Sequence, residues 1–193
     1  MNIANKLTIF RIFLVPVFIV CFLVNFPFHG FLALVIFAVA SLTDMIDGKL
    51  ARKYNLVTEF GKLMDPLADK ILVISALILF VEKDLIFGWV VLIIIARELL
   101  VTSVRLVAVN SGKVIAASIW GKMKTVTQLV GIVLMLLEFS LMEMGIEQLS
   151  FIDNLYGMNI SIGQIILYVA TVLTVFSGYE YMKENWEYID FRK

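Results

Sequence analysis

The chain is poor in the residues that carry nucleophilic and redox chemistry in most enzymes. It has one cysteine and one histidine in 193 residues. Cys21 lies in the apolar run LVPVFIVCFLV with no partner, so a disulfide framework is excluded and packing is its expected role. His29 sits in the connection NFPFHG, where a surface-loop position is expected. A single histidine also excludes mechanisms that need a histidine pair, such as phosphohistidine transfer. Charge is scarce as well, at 17% of residues, and the formal net charge of zero says little about partners. No nucleic-acid partner is expected, and neither a repeat nor a low-complexity tract marks a second domain.

Apolar residues are abundant. Hydrophobic side chains make up 61% of the chain, well above the roughly 45–50% of an ordinary soluble domain. Apolar stretches run over residues 7–24, 31–51, 60–81, 86–109, 120–139 and 160–182. Each is long enough to cross a bilayer as a helix, at about 20 residues per span. Lipid offers backbone groups no hydrogen-bond partners, so uninterrupted runs of this length read as helices and not as short alternating strands. The expected fold is an all-α integral membrane protein, a six-transmembrane-helix bundle forming a single domain over residues 1–193. The first apolar segment has no A-x-A-like cleavage site and is read as a retained span.

Lys and Arg bias loops toward the cytoplasm. With both termini cytoplasmic, that side takes Lys6, Arg11, Lys49, Arg52, Lys53, Lys62, Lys113, Lys122, Lys124, Lys183, Arg192 and Lys193, while the outer connections hold only Lys83. The connection EFSLMEMGIEQLSFIDNLYGMN carries Glu138, Glu143, Glu147 and Asp153 without a Lys or Arg. A multi-pass protein of the cytoplasmic (inner) membrane is expected, and its tail NWEYIDFRK, amphipathic and aromatic, is expected at the cytoplasmic interface.

Against this background the stretch TDMIDGKLARKYNLVTEFGKLMDPLADK is anomalous, because it holds Asp44, Asp47, Asp65 and Asp69. Spacings of three and four residues put each pair on one helical face. A short turn with Gly48 and Gly61 between antiparallel helices would bring all four carboxylates together. An ionised carboxylate in a membrane helix costs on the order of 2.5–3.5 kcal/mol, and four converging anions also repel. Positive charge must therefore sit among them. Oxygen ligands without Cys or His select magnesium, manganese or calcium over zinc. Two divalent ions about 4 Å apart form the clamp used in phosphoryl transfer. The alternative is that these aspartates cap helices and decorate a cytoplasmic loop.

Asp44, Asp47, Gly48, Ala51, Arg52, Gly61, Asp65 and Asp69 resemble the D-x2-D-G-x2-A-R-x8-G-x3-D-x3-D signature of CDP-alcohol phosphatidyltransferases, with no departure from it. The resemblance implies an enzyme that transfers a phosphatidyl group from a CDP-linked lipid to an alcohol and releases CMP, working as a homodimer. It implies two Mg2+ or Mn2+ ions on Asp44, Asp47, Asp65 and Asp69, with Asp69 also the base toward the incoming hydroxyl. Gly48, Ala51 and Gly61 would let the CDP moiety approach the backbone closely, and Arg52 offers a planar fork for phosphate or cytosine oxygens. Their alternatives are close helix packing and an orientation anchor.

An acceptor that carries phosphate needs a basic pocket. Arg97 and Arg105, eight residues apart in the fourth span, lie about 80° apart around a helix. Lys70, Lys122 and Lys124, with Thr8 and Arg11 at the start of the first span, complete the candidate set. The strings NKLTIFR, MDPLADK, ARELLVTSVR and GKMKTVTQ are similar to those of the branch that makes phosphatidylglycerophosphate, implying CDP-diacylglycerol and glycerol 3-phosphate as substrates at a cytoplasmic active site. Phosphatidylglycerol, inositol phosphate or serine are the alternative acceptors. Because intramembrane carboxylates also mark ion pathways, a divalent-cation transporter is the rival of another class. Protein reconstituted in vesicles is expected to release CMP from CDP-diacylglycerol without moving divalent metal; metal flux without CMP release would reverse that ranking.

Overall fold

The computed structural model describes residues 3–53, 59–110, 118–145, 150–155 and 158–186. Six helices account for most of them: α1 (Ile3–Leu23), α2 (His29–Lys53), α3 (Glu59–Glu82), α4 (Gly88–Asn110), α5 (Ile119–Glu143) and α6 (Ile162–Glu184). Each covers one of the six apolar stretches. Two short strands, β1 (Ser150–Leu155) and β2 (Met158–Ser161), form an antiparallel hairpin between α5 and α6, pairing Ile152 with Ile160. The hairpin was not anticipated from the sequence, and α2 and α3 run past both ends of their apolar runs. Gly48 and Gly61 lie inside α2 and α3 and not in the turn between them, which is confined to residues 54–58.

Successive helices alternate in direction, as contacts at one end show. Two glutamates near the end of α5 close the N-termini of its neighbours. The Gly30 amide of α2 donates to Glu143 Oε2 at 2.7 Å, and His29 pairs with the same carboxylate. The Gly163 amide of α6 donates to Glu138 Oε1 at 3.0 Å. Helix N-termini carry unsatisfied N–H groups and a partial positive charge, so carboxylates are stabilising there. This corrects two expectations. Glu138 and Glu143 belong to α5 and not to a polar connection, and His29 is a buried first residue of α2 and not a surface-loop residue.

Ser161 and Gln164 form a reciprocal capping box at the start of α6, with Ser161 N to Gln164 Oε1 at 2.9 Å and Gln164 N to Ser161 Oγ at 3.2 Å. The Gln164 Nε2 group donates to Leu85 O in the α3–α4 connection at 2.5 Å. That connection turns through Asp84, at φ 56°, where a short polar side chain tolerates the left-handed region.

The apolar core occupies this same end. Phe22 of α1 stacks on Phe139 of α5 with centroids 4.6 Å apart and meets Phe80 of α3 edge-on at 6.0 Å. Phe18 meets Phe37 of α2 at 5.7 Å. Fully buried Ala33, Ala40 and Ala76 let the helices close around the rings. Cys21 is buried and free, as packing requires. At the other end Thr8, Arg11, Lys124 and Gln128 are buried, alongside a small apolar cluster of Val101, Val104 and Tyr181.

Large apolar side chains also cover the outside, including Phe13, Leu92 and Val172 at 68–70% exposure. Among the described residues, α5 and α6 are long and apolar enough to cross a membrane.

The α5–α6 contact depends on two glycines. A Cβ at Gly163 would lie 2.8 Å from the Met135 backbone nitrogen and 2.9 Å from Glu138 Oε2, while one at Gly131 would lie 3.2 Å from the Leu167 nitrogen. Gly163→Ala is expected to lower stability in detergent by about 1–3 kcal/mol, whereas Gly88→Ala, whose nearest neighbour is 3.9 Å away, is expected to be close to neutral. Thermal unfolding of both variants checks this.

Candidate active site

Asp44 and Asp47 occupy the last turns of α2, and Asp65 and Asp69 the first turns of α3. Both helices run unbroken through these positions, so each pair keeps its one-turn spacing. The side chains of the four aspartates, and those of Gly48's neighbours Ala51 and Arg52, lie outside the described residues, as does the 54–58 connection.

One turn before Asp44 stands Ser41, and directly after Asp69 stands Lys70. Both line a cavity of about 200 Å³ with Arg11, Glu98, Lys124, Thr125 and Gln128. The cavity therefore adjoins the aspartate motif along the same two helices. Leu72, Ile94 and Leu129 form part of its apolar wall.

Among the described residues that line the cavity, three are cations and one is a carboxylate. Arg11 of α1 is 0% exposed and Lys124 of α5 is 2% exposed. Charges this deep need a counter-charge, and Glu98 of α4 supplies one. Its Oε1 accepts from Lys124 Nζ at 2.6 Å and from Arg97 Nη1 at 3.1 Å. The ladder continues to α3: Lys70 Nζ donates to Thr102 Oγ1, and the Thr102 hydroxyl donates to the Glu98 carbonyl at 2.7 Å.

Arg97 reaches this position by passing two glycines. A Cβ at Gly121 would come within 3.3 Å of its Nη2, and one at Gly178 within 3.1 Å of its Cγ. Small residues on α5 and α6 thus make room for a large cation on α4. Ser118 caps α5 beside it, its Oγ accepting from the Gly121 amide at 3.1 Å.

Of the seven basic or polar residues proposed for an acceptor phosphate, the structure brings Arg11, Lys70 and Lys124 to the cavity, with Arg97 joined through Glu98. Thr8 is buried one turn before Arg11. Arg105 and Lys122 are exposed and do not line the cavity. The sequence reading missed Glu98, Gln128, Ser41, Thr102 and Thr125. For Glu98 a signal existed: an acid next to an arginine inside an apolar run is a candidate partner for intramembrane cations.

The CDP-alcohol phosphatidyltransferase family model matches residues 1–176. The chain belongs to that family. Among its relatives in the family, the CDP-diacylglycerol--glycerol-3-phosphate 3-phosphatidyltransferase of Bacillus subtilis is 40% identical over 198 residues, covering 96% of each chain. The protein of the same name from Rickettsia bellii is 37% identical over 187 residues, covering 97% of each. A probable phosphatidylglycerophosphate synthase of Mycobacterium tuberculosis is 46% identical over 143 residues, covering 72% of this chain and 68% of its own.

Within this family member, Glu98 and Lys124 are expected to act as one unit. Glu98→Ala, Lys124→Ala and the double variant should show a coupling of about 0.5–3 kcal/mol in unfolding experiments. Exposed Arg105→Ala should change stability by no more than about 0.5 kcal/mol.

Proposed function

We propose that the protein is a phosphatidylglycerophosphate-forming enzyme, transferring the phosphatidyl group of CDP-diacylglycerol to glycerol 3-phosphate and releasing CMP. The observation that carries this reading is the basic cavity set against the aspartate-bearing turns of α2 and α3. A phosphorylated acceptor suits a cavity lined by Arg11, Lys70 and Lys124. The names of the relatives agree with that acceptor.

The reaction is placed at the cytoplasmic face of a multi-pass protein of the cytoplasmic membrane. Six spans with both termini inside, in a single domain over residues 1–193, are supported by the Lys and Arg distribution and by the alternating helices. The apolar exterior supports a lipid environment, since soluble monomers rarely expose large contiguous apolar patches. By family resemblance the expected assembly is a homodimer.

Four carboxylates without Cys or His form a donor set that fits Mg2+ or Mn2+. Asp44, Asp47, Asp65 and Asp69 would hold two such ions, which when bound would offset negative charge on the pyrophosphate and the departing CMP. Gly48, Ala51, Gly61 and Arg52 would receive the CDP moiety. Arg11, Lys70 and Lys124 would hold the acceptor phosphate, Lys124 being kept in place by Glu98. Asp69, next to Lys70 in the chain, would take the proton from the C1 hydroxyl as that oxygen attacks the phosphorus attached to diacylglycerol.

An acceptor panel tests the assignment. Purified protein with magnesium or manganese and labelled CDP-diacylglycerol is expected to release CMP with glycerol 3-phosphate and not with serine, inositol phosphate or phosphatidylglycerol. Release with one of those, and none with glycerol 3-phosphate, would overturn the acceptor.

A further inference from the structure

Both lysines of the cavity are held from one face of α4. Glu98 and Thr102 stand four residues apart on that helix, so their side chains are neighbours one turn apart. Glu98 Oε1 accepts from Lys124 Nζ of α5 at 2.6 Å, and Thr102 Oγ1 accepts from Lys70 Nζ of α3. Lys70, Lys124 and Glu98 line the cavity and Thr102 does not. Thr102 can therefore act on a ligand there only through Lys70.

The direction of the second bond follows from the proton count. A hydroxyl has one proton to donate and two lone pairs that accept. The Thr102 proton goes to the Glu98 carbonyl at 2.7 Å, which turns the remaining lone pair of Oγ1 to the ammonium of Lys70. Thr125, Thr127, Thr171 and Thr174 bond back to the carbonyl four residues earlier in the same way, so that bond alone is ordinary helix chemistry. The ammonium on its oxygen sets Thr102 apart from them.

An ammonium carries three donors on a flexible four-carbon stem. With one donor fixed on Thr102, two are left for an anion and the stem is already ordered. Ordering a rotamer-rich side chain is a cost that binding otherwise has to meet.

We infer that Thr102 is a positioning residue for the acceptor phosphate, holding the Lys70 ammonium at the cavity as Glu98 holds that of Lys124. It works through Lys70 and not by contact with the substrate. The inference rests on the acceptor assigned above.

The test measures KM for glycerol 3-phosphate and for CDP-diacylglycerol, by CMP release, in the wild type, Thr102→Val and Thr102→Ser, and repeats Thr102→Val in a Lys70→Ala background. Thr102→Val keeps the branched shape and loses the hydroxyl. It is expected to raise the KM for glycerol 3-phosphate by about 2- to 10-fold and to leave that for CDP-diacylglycerol unchanged. Inorganic phosphate, as a competitor of glycerol 3-phosphate, should weaken by the same factor. Thr102→Ser keeps the oxygen and should restore the wild-type KM. In Lys70→Ala protein Thr102→Val should add nothing, because the group it positions is gone.

A hydroxyl that serves only the helix would act alike on both substrates, or would add its full factor in the Lys70→Ala background; either result overturns the inference. Thr102→Ala gives the same comparison if Thr102→Val folds poorly. Wild-type protein that releases CMP with another alcohol and not with glycerol 3-phosphate overturns the acceptor assignment, and the inference with it. Turnover of glycerol 3-phosphate with a KM that loss of the hydroxyl leaves unchanged overturns the inference alone.

Discussion

The polar half of this bundle depends on one carboxylate oxygen. Glu98 Oε1 accepts from both Lys124 and Arg97, and without it α1, α3, α4 and α5 would bring Arg11, Lys70, Arg97 and Lys124 toward one apolar interior with no counter-charge in α4. Removing one partner of a buried ion pair is strongly destabilising, because the charge left behind is desolvated and unpaired. Glu98 therefore helps to make the basic cavity tolerable inside the bundle.

The opposite end of the bundle is organised differently. There the rings of Phe22, Phe80 and Phe139 fill the space between helices, and Glu138 and Glu143 satisfy the N-termini of α6 and α2. Both ends use glutamates, for separate purposes: one pair caps helices, and the single Glu98 balances side-chain cations. Aromatic packing and capped termini hold the helices together at this end, from which they extend into the polar end. This is how α2 and α3 can carry the aspartate turns beside a cavity whose other walls come from α1, α4 and α5.

Much of the architecture was legible because it is written in local order. Hydrophobic runs of span length located six helices, and the aspartate spacing needed only the helical repeat to define two one-turn pairs. Where interactions cross between distant segments, local order misled. His29 reads as a loop residue beside Pro27 and Gly30, yet Glu143, more than a hundred residues away, draws it into the first turn of α2. Glu138 and Glu143 read as solvated charges, because nothing near them in the chain reveals the N–H groups they meet. The β1–β2 hairpin falls in a segment whose polarity suggested only a connection.

The candidate site divides along the same line. Its chemistry, four carboxylates at helical spacing with small residues and an arginine nearby, was determined by the sequence alone, because residue type and spacing along one helix suffice to define it. The composition of the basic cavity was decided by tertiary structure. Seven candidates were chosen by charge and depth, and the fold gathers Arg11, Lys70 and Lys124 while leaving Arg105 and Lys122 exposed. It also adds Glu98 and Gln128, whose roles depend on the rotation of α4 and α5 about their axes. That rotation is set by packing partners such as Gly121 and Gly178 around Arg97, and a linear pattern does not encode which face of one helix meets another.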